Sequence, residues 1–296
     1  MTTTKPMTMG MVGLGRMGLG MTNRLRKAGH TILGYDRNPD VTDVKSLEEL
    51  VARLPSPLVV WLMVPSGKVT DDTFNAVLPL LARGDILIDG GNTYHKDSRR
   101  RGAEAATAGV HFLDIGTSGG IWGFENGFCL MAGGPRAAFD HIEPILASLA
   151  PEDGYAYVGP SGAGHFSKMV HNGIEYGMMQ SYAEGFDLLK AATEYDYDME
   201  QLSNLWQHSS VVRSWLLELL ANAFNKDANL DELKAYVDDS GEGRWTVLEG
   251  VERGVNVGVL AQSLFARFTS REENAFSMRV VAALRNEFGG HAVKKS

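Results

Sequence analysis

Five residues suited to binding and proton transfer recur at helical spacing in one stretch of the sequence. Lys168, His171, Asn172, Glu175 and Tyr176 stand at i, i+3, i+4, i+7 and i+8, which places them on a single stripe of an α-helix. An amine and a carboxylate two turns apart can move protons at two different atoms of one substrate, while an imidazole, an amide and a phenol orient hydroxyl groups and anions. For the amine to act as a base it must be neutral, so its pKa must lie far below the ordinary lysine range. Burial and a neighbouring cation act in that direction, whereas an adjacent carboxylate opposes it. Glu175 is therefore expected to serve a different atom from Lys168. The plainer reading of the stripe is a solvated face with a Lys–Glu pair. Two features speak for chemistry instead: the mixture of five functional groups, and a nucleotide-binding pattern earlier in the chain.

The stripe lies in Gly162–Leu189, which opens on a Gly-rich turn and continues without proline, predicting a long helix. Its other positions (Met169, Val170, Gly173, Ile174, Gly177, Met178) are apolar or small, predicting burial around most of the circumference. Ionisable groups on such a helix are costly unless paired or used.

The N-terminal half must position the other partner in the chemistry. Met7–Val12 reads as a strand running into Gly13-Leu14-Gly15-Arg16-Met17-Gly18, followed by a helix to about Lys27 and a second strand, Thr31–Tyr35, ending at Asp36. Gly13 permits the tight turn, Gly15 lets a pyrophosphate approach the backbone, and Gly18 lets helix and strand pack closely. The helix N-terminus then offers N–H groups and a positive dipole end to the phosphates. Placed between strand and helix, with an acidic residue at the end of the next strand, the pattern predicts a dinucleotide-binding Rossmann domain. Asp36 would accept hydrogen bonds from ribose hydroxyls and repel a 2'-phosphate, which favours NAD. Arg37 beside it could partly accommodate NADP, and the plainer role for Asp36 is a turn residue before Asn38-Pro39.

Leu58–Val64, Ile86–Asp89 and Val110–Ile115 read as further parallel strands, with another near Phe128–Met131. Ligands gather at the carboxyl ends of such strands. This singles out Val64 for the cofactor, Asn92 for cofactor or substrate, and Ser118-Gly119-Gly120 for a substrate oxygen, the alternative for the glycines being a plain turn. Arg99-Arg100-Arg101 reads as a solvated helix face. Pro151–Gly164, rich in Pro and Gly, marks the expected domain boundary.

Beyond the long helix strand signals stop. Leu202–Leu220, Leu230–Val237, Trp245–Gly250 and Ser263–Leu284 read as helices. The fold class is thus an α/β domain over 1–160 and an all-α domain over 161–296, joined by the long helix. Arg244, Arg267 and Arg285 carry the group that binds phosphate bidentately, although a single arginine is more often a surface charge. The 296 residues carry a net charge of -8, which argues against nucleic-acid or anionic-membrane partners. One cysteine, Cys129, and the polar start MTTTKPMTMG fit a cytoplasmic protein. His30, His95, His111, His141 and His208 show no metal-ligand spacing.

The pieces GLGRMG, DGGNTYHKDS, DIGTSGGIWGFENGFCLMAGG, GAGHFSKMVHNGIEYGMMQSYAEGF, GEGRWT, FARFTS and RNEFGGH, in this order, resemble the 6-phosphogluconate dehydrogenase family, and are most similar to its shorter bacterial form. SGG with KMVHNGIEYG separates that family from the 3-hydroxyacid dehydrogenases, which share the fold and the lysine. The resemblance implies oxidation and decarboxylation of 6-phosphogluconate to ribulose 5-phosphate in the pentose phosphate pathway. It implies Lys168 as general base, Glu175 as acid, and Ser118, Gly119, Gly120, His171 and Asn172 around the sugar carboxylate and hydroxyls. It implies Tyr176, Arg244, Arg267, Arg285 and His291 as phosphate-end and tail contacts, the last two from a neighbouring subunit, hence a homodimer or homotetramer. Two departures stand out. Arg244 replaces a lysine typical of the long form, and Asp36-Arg37 replaces the Asn-Arg of NADP-using members. The competing readings are a 3-hydroxyacid dehydrogenase without decarboxylation and a non-catalytic NAD-binding sensor.

Overall fold

The computed structural model describes residues 5–289 together with Ala292 and Lys294. Among them, seven strands form one sheet: β1 (Thr8–Val12), β2 (Thr31–Tyr35), β3 (Val59–Leu62), β4 (Ile86–Asp89), β5 (His111–Ser118), β6 (Cys129–Gly133) and β7 (Tyr155–Gly159). Their order is β2-β1-β3-β4-β5-β6-β7. β1 to β5 are parallel, β6 runs antiparallel to β5, and β7 is parallel to β6. The connecting helices are α1 (Arg16–Lys27), α2 (Leu47–Ala52), α3 (Lys68–Val77), α4 (His95–Thr107), the single turn α5 (Gly123–Asn126) and α6 (Arg136–Leu149).

Every residue of β3 and β4 is buried, as continuous apolar runs in a sheet covered on both faces require. Val59, Trp61, Ile86 and Ile88 meet Met21, Leu25, Ile142 and Leu146 on one face. Val60, Leu62 and Leu87 meet Leu50, Phe74 and Ala105 on the other. Full burial of each such aliphatic side chain contributes about 1.5–3 kcal/mol. The chain leaves β1 for one side of the sheet and returns to the other at β3, so β1 and β3 flank the point where such folds bind ligands.

The helices that follow are α7 (Ala163–Ala191), α8 (Met199–Leu205), α9 (Trp215–Lys226), α10 (Glu242–Arg253), α11 (Gly258–Thr269) and α12 (Phe276–Gly289). α7 runs for 29 residues. The chain divides into two compact units at His171/Asn172, inside α7. The first turns of α7 belong to the sheet unit because glycines admit them: a Cβ on Gly164 would lie 2.2 Å from the Asp114 carbonyl oxygen and 2.4 Å from that of Met131. In the second unit Phe186, Leu217 and Phe224 form the core, with Tyr182, Met199, Trp206 and Leu220 packed against it.

Several local expectations are corrected. Pro151–Gly164 contains β7, the edge strand, and β5 runs on through Ser118. The helix expected over Leu202–Leu220 is two, because Asp198 and Ser214 each cap a new start through Gln201 N and Leu217 N. Leu230–Val237 is not helical: Leu230 has φ +56° and the Asp227 carboxylate takes the Glu232 N–H. Ser263–Leu284 is broken between α11 and α12. Arg99 and Arg100 are exposed as expected, but Arg101 is fully buried. On α7, Ile174, Met178 and Met179 are exposed, so the helix is not buried around its circumference in the single chain. Among the described residues no helix is long and apolar enough to cross a membrane.

Candidate active site

At the end of β1, Gly13 has φ +95°, and a Cβ there would lie 2.3 Å from the Met63 carbonyl oxygen. Gly18 faces the Gly13 carbonyl so closely that a Cβ would come within 2.0 Å. Gly15 differs: no atom lies within 4 Å of a Cβ built on it. That open space stands at the N-terminus of α1, which has no side-chain cap, with Arg16 exposed and Met17 half-buried behind it. A cofactor pyrophosphate fits this cradle, since backbone N–H groups and a helix dipole converge on it. Asp36 takes hydrogen bonds from Leu14 N (2.7 Å) and Asn38 N (2.9 Å), so it shapes the turn and also reaches the glycine loop. Arg37 is exposed. Val64 stands between this loop and the next. Its Cγ1 would be 2.9 Å from a Cβ on Gly13, and its carbonyl oxygen 2.8 Å from one on Gly91.

The loop after β4, Asp89 to the exposed Asn92, rests on a buried ion pair. Arg101 Nη1 reaches Asp89 Oδ2 at 3.1 Å, both side chains being at most 1% exposed, and Arg101 also bonds Asp71. Asp89 Oδ1 accepts from Gly91 N at 3.1 Å, which fixes the turn. Removing one partner of such a pair leaves an uncompensated charge and costs about 3–5 kcal/mol.

The start of α7 is fixed from β5. Asp114, fully buried, accepts from Gly162 N (2.6 Å) with one oxygen and from His165 N (2.9 Å) with the other. Burial pushes its carboxyl above the ordinary carboxylate range, with His165 and the two backbone N–H groups acting against this. The His165 ring, also buried, lies 2.6 Å from Ser98 Oγ of α4 through Nδ1. One turn on, Lys168 is half-buried against Gly116 of β5. Ser118 Oγ stands 3.4 Å from His171 Nε2. Gly119 and Gly120 follow with φ +129° and +51°. The sheet unit thus brings together Lys168, His171 and Ser118-Gly119-Gly120, all expected at the substrate.

In the helical unit, Asn172 Nδ2 donates to Glu242 Oε1 at 2.9 Å. Tyr176 is buried, and its hydroxyl accepts from Ser240 N at 3.2 Å. The Arg267 guanidinium carbon sits 3.4 Å from the centre of the Tyr176 ring, and Nη1 donates to the Asp238 carbonyl at 3.0 Å. Arg244 forks onto Asp239 at 2.6 and 3.0 Å, and Arg271 reaches the same carboxylate at 2.9 Å. Arg244 and then Arg271 hold Asp239 well below the usual carboxylate range, at about 2. Glu175 is half-buried. Arg285 is exposed on α12 and shares none of these contacts; His291 lies outside the described residues. An apolar cavity of about 880 Å³ elsewhere in this unit, lined by Met179, Tyr182, Phe186, Leu220 and Phe224 among others, contains none of the expected site residues.

Residues 8–159 match the NAD binding domain of 6-phosphogluconate dehydrogenase, and residues 164–295 match the C-terminal domain of 6-phosphogluconate dehydrogenase. The chain belongs to the 6-phosphogluconate dehydrogenase family. It is 43% identical to the Bacillus subtilis protein YqeC, over 98% of this chain and 100% of that one. It is 42% identical to the NAD(+)-dependent, decarboxylating 6-phosphogluconate dehydrogenase of Haloferax volcanii, over 98% of this chain and 99% of the relative. Among solved structures, 6-phosphogluconate dehydrogenase of Plasmodium falciparum superposes with a TM-score of 0.77 at 28% identity, over 98% of this chain. This chain spans 66% of that longer one.

Five residues of this family member escaped the sequence reading: Arg101, His165, Asp239, Glu242 and Arg271. Arg101 was hidden in a run of three arginines, and only helix phase distinguishes it from its neighbours. Asp239 and Arg271 flank, and Glu242 lies inside, the motifs that carry Arg244 and Arg267, and their pairing depends on tertiary contact.

Proposed function

We propose that this chain oxidises and decarboxylates 6-phosphogluconate to ribulose 5-phosphate, with NAD as preferred acceptor. The observation that carries the reading is the juxtaposition of Ser118 with His171, one turn from Lys168, in a chain whose two halves match both domains of the family. Lys168 takes the proton of the C3 hydroxyl. A nicotinamide cofactor held at the Gly13–Gly18 loop would supply the acceptor for the hydride that leaves C3. Protonated Lys168 then stabilises the enolate that develops as the 3-keto acid loses carbon dioxide, and Glu175 protonates C1 of the enediol. Ser118, Gly119, Gly120, His171 and Asn172 orient the carboxylate and hydroxyls. Tyr176, Arg244 and Arg267 bind the phosphate end, supplying binding energy away from the reacting carbon.

The NAD preference rests on Asp36, whose carboxylate lies at the glycine loop, and is supported by the cofactor named for the Haloferax relative. Self-association, with Arg285 and His291 serving a neighbour's site, is supported by the exposed apolar side chains Ile174, Met178, Met179, Phe276, Met278 and Leu284. The lone, exposed Cys129 suits a reducing cytoplasm.

The test is to supply 6-phosphogluconate with NAD and, separately, NADP, following reduced cofactor and carbon dioxide together. Stoichiometric release of both is expected, faster with NAD. Reduced cofactor without carbon dioxide would indicate a 3-hydroxyacid dehydrogenase, and cofactor binding without reduction a sensor.

A further inference from the structure

We propose that Glu242 is a positioning residue that fixes which end of the Asn172 side-chain amide faces the substrate. The proposal rests on the reading of Asn172 as a substrate-orienting group.

Glycines create the approach that makes the contact possible. A Cβ on Gly173 of α7 would lie 2.7 Å from Thr246 Cγ2 of α10, and one on Gly243 would lie 2.5 Å from the Tyr176 ring. With both positions bare, the start of α10 packs directly on α7. Glu242, the first residue of α10, thereby comes opposite Asn172 with its residue only 2% exposed. A carboxylate is favoured at this end of a helix by the dipole. Thr246 Oγ1 donates to the Glu242 carbonyl at 2.8 Å, which ties down its backbone.

The two carboxylate oxygens have different duties. Oε1 accepts from Asn172 Nδ2 at 2.9 Å, and Oε2 accepts from Ser240 Oγ at 2.5 Å. Ser240 in turn bonds the Tyr176 hydroxyl through its backbone N–H. An ionised carboxylate offers acceptors only, whereas a side-chain amide has a donor end and an acceptor end. Turning the amide over would set Oδ1 against Oε1, oxygen against oxygen. Glu242 therefore selects one orientation: Asn172 turns its NH₂ toward Glu242 and carries Oδ1 on the opposite side. In that orientation Asn172 meets a sugar hydroxyl as an acceptor, drawing on the hydroxyl proton. The same carboxylate joins Asn172 to the Ser240–Tyr176 pair, so the sugar-orienting and phosphate-end groups of this unit share one anchor.

A double-mutant cycle with an independent spectroscopic readout tests this. Glu242→Leu removes both acceptors and is expected to lower kcat for 6-phosphogluconate about 10- to 100-fold, with KM changing less than about threefold. Glu242→Gln keeps an oxygen for Asn172 when its NH₂ turns to Ser240 Oγ, a hydroxyl that can accept as well as donate, and should restore most of the rate. In an Asn172→Ala background, Glu242→Leu should add less than about a twofold loss, because the residue it acts through is gone. The Asn172 side-chain amide resonances, assigned by their disappearance in Asn172→Ala, should shift in Glu242→Leu and stay close to wild type in Glu242→Gln. Equal losses in both backgrounds, or an unmoved amide resonance in Glu242→Leu, would overturn the proposal. Should Glu242→Leu fail to fold, the Glu242→Gln spectrum decides: an amide displaced as in free asparagine contradicts the anchor. A wild-type chain that releases no carbon dioxide from 6-phosphogluconate sinks the functional reading instead, and the resonances still decide whether Glu242 orients the amide.

Discussion

A Cβ atom on Gly116 would stand 2.4 Å from the Cβ of Lys168 and 2.8 Å from the Gly164 carbonyl oxygen. Helix α7 is thus seated on strand β5 at the point where the proposed base projects, and the seat exists only because residue 116 has no side chain. Its backbone conformation is not what demands glycine, since its φ lies outside the left-handed region. Close approach is. Gly116→Ala must push Lys168 outward, and a displacement of about 1 Å at a catalytic group costs on the order of 100-fold in rate. A loss of that size in kcat, with NAD affinity unchanged by calorimetry, is the expected result.

Replacing Lys168 itself by Met keeps the apolar stem and removes the amine. Turnover of 6-phosphogluconate should fall about 10²- to 10⁴-fold, the range for loss of a positioned acid–base group, while KM stays within a few-fold. Near-normal turnover with only a raised KM would rule out the base role.

Arg267 holds its guanidinium carbon 3.4 Å from the centre of the Tyr176 ring and donates to the Asp238 carbonyl, two contacts that restrict where the group can lie. A charged hydrogen bond of this kind is worth about 1.5–3 kcal/mol. Arg267→Ala should therefore lower kcat/KM for 6-phosphogluconate about 10- to 100-fold and leave the rate with unphosphorylated gluconate nearly unchanged. Steady-state kinetics on the two substrates provides the comparison, and equal losses on both would contradict a phosphate role.

At the cofactor end, Asp36→Asn keeps one acceptor oxygen, enough for only one of Leu14 N and Asn38 N, and loses the charge that repels a 2'-phosphate. The NAD/NADP ratio of kcat/KM should move toward NADP. An unchanged ratio would remove Asp36 as the selector.

Asp239 supplies a pH test. Its folded-state pKa, about 2, lies below its ordinary value because Arg244 and Arg271 bind its charged form. A depressed carboxyl contributes stability that is fully present above its unfolded pKa, near 4, and is lost as pH falls toward 2. Arg244 is half-exposed, so solvent screening keeps the contribution small. Urea unfolding should show Asp239→Asn less stable than wild type by a constant margin from pH 7 to about 5, narrowing as the pH falls further. A margin that widened on acidification would contradict the pairing.

Much of the sheet unit is written locally. Thr31–Tyr35 and Ile86–Asp89 form strands at the boundaries their apolar runs predict, and the glycines of the first loop fall where the turn, the open approach and the helix packing require them. The long helix is legible too, because proline is absent and the apolar residues repeat. What failed depended on context. Ser214 reads as an interior helix residue until it caps α9, and β7 reads as a linker because an edge strand needs only one neighbour to pair with. Among the residues proposed for the site, Lys168, His171 and Ser118 can be named from types and spacing. Glu242 could not, since nothing along the chain relates residue 242 to residue 172 until two bare glycines let their helices meet.

Asp114 carries a last consequence. By accepting from Gly162 N and His165 N it sets both the axial position and the rotation of α7 at its first turn. An α-helix advances 1.5 Å and turns about 100° with each residue, so Lys168 and His171, within the same unit, inherit their direction from that carboxylate. A single residue inserted between His165 and Lys168 would leave every side chain present and every hydrogen bond of the first turn intact, yet would swing Lys168 and His171 by about 100° around the axis. The interval from 165 to 168 therefore works as a fixed gear: the phase between Asp114's grip and Lys168 depends on the number of residues in it.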